Sequence, residues 1–244
     1  MSLELVPILE RMKELYVQPL NFSRFKEYLA SLQGDSKDDL QLPIQGFNPM
    51  AKEHILEKIE ELQLLDAENL MAETLAQMKV ELPEEASIKV VLNLADDHLG
   101  GWTNRFSTDY ESKFKLNALV TRGFATPYFW SSEEYSTELI HERTLESVYR
   151  TVYWMQHPRP HTLAEYVGQE IYVARQMLGK RVPRAKDGFE EMKAYLQEHG
   201  QEEAYPRVFN FFYGDEASAS LGFAKYGVAK MDGFTYARQA AAHA

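Results

Sequence analysis

The chain has 244 residues, 45% of them hydrophobic and 26% charged, with a net charge of −11 and no cysteine. This composition excludes a disordered chain, a disulfide framework, a thiolate nucleophile and a Cys-ligated zinc or iron–sulfur centre. The acidic balance repels phosphate backbones, so no nucleic-acid partner is expected; no apolar run reaches the roughly 20 residues that span a bilayer, so no membrane partner is expected either.

Leu3, Val6, Leu9 and Met12 fall at helical spacing and predict a helix over 3–17. A second helix follows over 22–32, with Asn21 or Ser23 as its cap. Residues 1–7 lack the basic region and apolar stretch of a signal peptide, and with the absence of cysteine this gives the expectation of a cytoplasmic protein. Residues 34–49 read as a linker, because Pro43, Gly46 and Pro49 break any helix. Asn48 and Pro49 read as cap and first turn of a third helix running to about Gln63, with Ile55, Ile59 and Leu62 inward. A fourth helix is expected over 66–81, opened by Asp66 and lined by Leu70, Leu75 and Met78.

After Pro83 the period changes to two. Ile88, Val90, Leu92 and Leu94 alternate with Lys89, Val91 and Asn93, which predicts a strand over 87–95. Phe114, Leu116, Ala118 and Val120 predict a second strand. A third is expected over 124–130, on a sheet edge because of Pro127. Ser131 and Glu134 form a capping-box pattern that opens a helix over 131–156. Helices over about 162–179 and 187–199 follow, then a tail of loops and short helices.

The expected fold is α+β: predominantly helical, with a small sheet of about three strands, partly antiparallel, in the middle of the chain. One integrated domain over 1–244 is expected. Its parts are a helical segment over 1–82, the sheet and long helices over 84–180, and a helical or looped segment over 181–244.

Two groups of residues suggest chemistry. Asp96, Asp97 and His98 follow the 87–95 strand, and strand ends are where a scaffold holds polar groups still. Paired acids whose environments differ divide into acid and base. In the same loop Trp102, Asn104 and Arg105 offer stacking, amide hydrogen bonds and anion pairing to a ligand. The plainer account is an ordered loop whose Arg105 pairs with a nearby aspartate. The glycine pair Gly100–Gly101 is not a phosphate loop.

The second group is Glu138, His141 and Glu142 on one face of the 131–156 helix, with Glu165 on the next. His141–Glu142 resembles the opening of the His-Glu-x-x-His motif of zinc peptidases, but Leu145 stands where the second histidine belongs. Glu138-x-x-His141 resembles half of a di-iron carboxylate pattern whose other half is missing. Glu138, His141 and Glu165 are the residues a divalent metal would use; no other cofactor is implied. The plainer account is a set of surface ion pairs. Ser131 and Ser132 offer an anion seat at a helix start, or a simple cap. The aromatics between Phe209 and Tyr213 read as core, and the basic run from Arg175 to Lys186 as a solvated helix end and loop.

Two functions follow as expectations. One is a protein that binds a small polar molecule or a protein partner through the 96–105 loop and the 131–156 helix. The other is a hydrolase, metal-assisted or acid–base, using Asp96 or Asp97 with His98, His141 and Glu142, a degenerate zincin-like protein being one form of it. The sequence sets neither the ligand nor the oligomeric state.

Overall fold

A computed structural model describes residues 2–33, 39–50, 53–82, 86–98, 103–178, 187–228 and 232–243. They fall into two compact units, 1–155 and 156–244.

The first unit is built on parallel strands. Strand β1 (Ser2–Leu5) leads into helices α1 (Leu9–Tyr16), α2 (Phe22–Gln33), α3 (His54–Leu64) and α4 (Ala67–Gln77). Strands β2 (Ser87–Val90) and β3 (Asn93–Ala95) follow, then α5 (Arg105–Phe114), α6 (Asn117–Thr121), β4 (Phe124–Ala125) and β5 (Tyr128–Trp130). Helix α7 (Thr137–Gln156) closes the unit but for its last residue.

Strand β2 lies between β1 and β4, and β3 pairs with β5; every pair is parallel. The partly antiparallel sheet expected from the sequence is therefore wrong. A parallel pair needs a long crossover, and α1–α4 and α5–α6 supply the two crossovers here. The alternation through Phe114, Leu116, Ala118 and Val120 belongs to a helix end and a short helix, not to a strand. Only Phe114 and Leu116 are buried, and Ala118 faces solvent.

The register is continuous across β2/β3 and β4/β5. Lys89 pairs with Phe124 and Val90 with Ala125, and the same offset returns from Asn93–Tyr128 to Ala95–Trp130. Backbone bonds run through the gap, from Val91 N to Ala125 O (3.0 Å) and from Asn93 N to Pro127 O (2.9 Å). The pattern breaks where Pro127 has no N–H to give back to Val91. Physically this is one long central strand, exposed on alternate residues at Ser87 and Lys89 and fully buried from Val90 to Ala95. Burial on both faces is what a parallel sheet imposes.

The first predicted helix is divided in the same way. Pro7 disfavours a helical conformation at Val6, so β1 ends before it and α1 begins only at Leu9. Val6 N then bonds Val90 O at 2.9 Å, extending the β1 ladder. Ile55, Ile59 and Leu62 of α3 are buried, as their spacing predicts.

In the second unit α8 (Leu163–Leu178), α9 (Phe189–His199), α10 (Tyr205–Ser220) and α11 (Gly233–His243) pack together. Thr162 and Glu165 close a reciprocal capping box at the start of α8: Glu165 accepts from Thr162 N at 2.9 Å, and Thr162 Oγ1 accepts from Glu165 N at 3.3 Å. The tail is more helical than its composition suggests. Gly214, at φ 80°, kinks α10, and Val208, Phe209, Phe211 and Phe212 ahead of the kink are buried.

Candidate functional site

Parallel pairing of Ala95 with Trp130 sets the next residues of each strand side by side. Asp96 and Asp97 leave the central strand next to Ser131 and Ser132. This is the carboxyl end of a parallel sheet, where ligands of open α/β sheets bind.

Asp96 is 2% exposed. Its Oδ1 lies 2.9 Å from His54 Nε2 and 3.1 Å from Ser131 Oγ, with His98 N more distant at 3.4 Å. Its Oδ2 accepts from Asn48 Nδ2 at 3.2 Å. Burial would raise the Asp96 pKa, but hydrogen bonds from His54, Asn48 and Ser131 outweigh it and hold the carboxyl below the ordinary aspartate range. An ionised carboxylate only accepts, so Nε2 of His54 carries a proton toward Asp96.

Asn48 and His54 reach the strand end from elements that the sequence places elsewhere. The 39–50 stretch is not a plain linker: Ile44 and Phe47 are buried, Tyr28 Oη donates to Ile44 O, and Asn93 Nδ2 donates to Pro43 O at 2.7 Å. This packing delivers Asn48, whose Oδ1 accepts from Met50 N rather than capping a helix. His54 is the first residue of α3, with its side chain 30% exposed. Its ring meets that of His98 edge-on at 5.0 Å.

Asp97 has a largely separate set of partners. It accepts from Ser132 N (3.0 Å), Ser132 Oγ (2.7 Å) and Arg105 Nη1 (2.9 Å). Burial opposes ionisation there too, but Ser132 and Arg105 keep the carboxyl below the usual range. Ser131 Oγ lies 3.2 Å from Asp97 Oδ1 and accepts from Asp97 N, so it links the two acids. Ser131 therefore does not open α7. That helix starts at Thr137, and Ser136 Oγ accepts from Leu139 N.

Asn104 caps α5 by accepting from Ser107 N at 3.1 Å. Arg105, besides Asp97, covers the Trp130 ring at 4.8 Å and approaches Glu133, which Arg143 also binds. Trp102 and Gly100–Gly101 lie outside the described residues, as does the basic run from Lys180 to Lys186. His98 is exposed beside His54. Glu138, His141 and Glu142 are exposed on α7, and His141 Nδ1 lies 2.9 Å from Thr74 Oγ1. Glu165 is the capping residue of α8 in the other unit. Among the described residues, no three His, Cys, Asp or Glu side chains are grouped so as to hold a metal ion. No helix among them is long and apolar enough to cross a membrane.

His54 borders a cleft of about 790 Å³. Tyr16, Gln18, Leu20 and Arg24 line it from the α1–α2 region; Glu53, Leu56 and Glu57 line it from α3. Burial raises the Tyr16 pKa, with Arg24 pulling it down and Glu53 and Asp96 pushing it up. The site thus joins a buried, fourfold-held carboxylate, a half-open imidazole and a cavity of ligand size. Asn48, His54 and Ser131 carry no local sequence signal for this role; only the register and the packed 39–50 stretch bring them to Asp96. The chain matches no protein-family model, no curated protein and no solved structure.

Proposed function

We propose that the protein is an acid–base hydrolase in which His54 is the catalytic base and Asp96 its positioning residue. The supporting observation is the 2.9 Å contact between the buried Asp96 carboxylate and His54 at the rim of the cleft. Such a carboxylate holds the imidazole in one tautomer and stabilises the imidazolium that forms. In this scheme Nδ1 of His54 takes a proton from water in the cleft. The resulting hydroxide attacks the scissile bond, and the imidazolium returns the proton to the leaving group. Ser131 does not serve as nucleophile, because its hydroxyl is buried and held by Asp96 and Asp97.

The alternative, a binding protein that uses the 96–105 loop and the 131–156 helix, has weaker support. Asn104 and Arg105 already serve a helix cap and an ion pair. A cytoplasmic location and a small-molecule substrate are part of the proposal.

A panel of p-nitrophenyl esters, from acetate to octanoate, tests it. At least one ester is expected to be hydrolysed about 10²- to 10⁴-fold faster by the native protein than by His54→Ala, the range of a general base. Equal rates across the whole panel would overturn the proposal.

A further inference from the structure

Arg24, in α2, is 3% exposed. A guanidinium has five N–H donors and stays protonated in proteins, and a buried one normally meets an acid. Here Nη1 makes one long bond, 3.4 Å, to Gln18 O. Nε and Nη2 are buried with no partner in hydrogen-bonding geometry, and burial lowers the Arg24 pKa with the Tyr16 side chain acting against it. The guanidinium lies 4.0 Å over the Tyr16 ring, and no ion pair to it occurs among the described residues. Leaving such donors unpaired is costly unless something else fills them. The Nε–Nη2 edge is also a geometry that grips a planar carboxylate through two parallel bonds. Arg24 lines the cleft that His54 borders.

We propose that the cleft takes a substrate with one carboxylate and an apolar portion, the carboxylate seated on the Nε–Nη2 edge of Arg24. This deepens the acid–base reading and rests on it for the place of the reacting bond, which lies at His54. Leu20 and Leu56 line the same cleft and receive the apolar portion. Glu53 and Glu57 line it too, and two carboxylates repel a phosphate dianion more than a monoanion. The Nε–Nη2 edge is closed to water in this conformation, so the carboxylate reaches it only when the cleft wall moves; Leu20, on that wall, is 63% exposed and has little packing to lose.

Calorimetric titration with sodium hexanoate, hexanamide and hexyl phosphate tests this. Hexanoate is expected to bind native protein and His54→Ala alike. Arg24→Met is expected to weaken it roughly 10- to 100-fold, the scale of a charge-assisted pair of hydrogen bonds. Hexanamide and hexyl phosphate are expected to bind native protein at least about tenfold more weakly than hexanoate. Arg24→Met removes an unpaired buried charge, so its melting temperature is expected to equal or exceed the native value. If that variant does not fold, Arg24→Lys, which keeps the charge without the fork, carries the test with the same direction of change.

Absence of hexanoate binding, indifference to the Arg24 substitutions, or equally tight hexyl phosphate would each overturn the inference. Arg24-dependent hexanoate binding without His54-dependent ester hydrolysis would sink the acid–base reading and leave the carboxylate anchor standing. The opposite pair of results would remove the anchor and leave the reading.

Discussion

His54 Nε2 lies 2.9 Å from Asp96 Oδ1, across 42 residues of chain. One partner starts a helix and is partly open to a cleft; the other ends the central strand and is sealed from water. The pair therefore has a dry side that fixes geometry and a wet side that can meet a substrate. Asn48 and Ser131 occupy other acceptor positions of the same carboxylate, so Asp96 is held from three elements beyond its own.

This arrangement separates two histidines that the sequence alone does not rank. His54→Ala is expected to lose nearly all hydrolytic activity. His141→Ala is expected to keep it, and to lower stability by about 1 kcal/mol or less, since His141 is exposed and, among the described residues, bonds Thr74 alone. Parallel kinetics and urea denaturation of the two variants check this. Loss of activity in His141→Ala with His54→Ala still active would reverse the assignment.

The two aspartates contribute to the loss of stability at acid pH. Hydrogen-bonding partners depress both carboxyls in the folded state below the unfolded value of about 3.9. A depressed carboxyl contributes stability that is complete above the unfolded pKa and is lost as pH falls through the folded one. Urea midpoints are expected to fall below about pH 4 in the native protein and to fall less steeply in Asp96→Asn. At neutral pH the same variant is expected to be less stable by about 1–3 kcal/mol, because its amide sets a donor against one of the donors around it. Superimposable pH–stability curves for the two proteins would show that Asp96 is not the linked group.

Ser131 gives a test of the bridge between the strand ends. Its hydroxyl touches both Asp96 and Asp97 and is buried. Ser131→Ala is expected to cost about 1–3 kcal/mol in chemical denaturation. It is also expected to move the acid limb of any pH–rate profile, since Asp96 loses a donor that favours its ionised form. A purely structural serine would lower stability and leave the profile in place.

Gly46 tests the packing that delivers Asn48. A Cβ there would meet Asn93 Oδ1 at 2.8 Å, Tyr128 Cε1 at 2.9 Å and Ala95 Cβ at 3.3 Å. Gly46→Ala is expected to destabilise by about 1–3 kcal/mol through overpacking, and to reduce activity by displacing Asn48 from Asp96. Native stability and rate in this variant would show that the 39–50 stretch gives way freely.

Much of the local structure was legible in the residues themselves. The apolar run over 87–95 marked the central strand, though only Ser87 and Lys89 alternate outward and the rest is buried on both faces; Ile55, Ile59 and Leu62 marked the buried face of α3, because burial on one face of a helix leaves a repeat in the chain. Asp96 and Asp97 stood out at a strand end for the same local reason. The misreadings were also local. Leu3, Val6, Leu9 and Met12 fit a helix by spacing, but Pro7 divides them between a strand and α1. Phe114 to Val120 alternates by coincidence across the end of α5 and the short α6.

Apolar periodicity and chain breakers thus place most of the helices and the central strand, and the residues alone show that acidic groups follow that strand. Only the assembled fold shows that the strands run parallel, that Ser131 bonds Asp96 and Asp97 rather than opening a helix, that Asn48 and His54 meet Asp96, and that Arg24 lines the cleft beside His54. The physical reason is that periodicity records how each segment meets the core, whereas pairing direction, register and the arrival of a distant side chain depend on which segments meet. That is settled by the packing of α1–α4 and the 39–50 stretch against one strand end, and no short stretch of sequence encodes it.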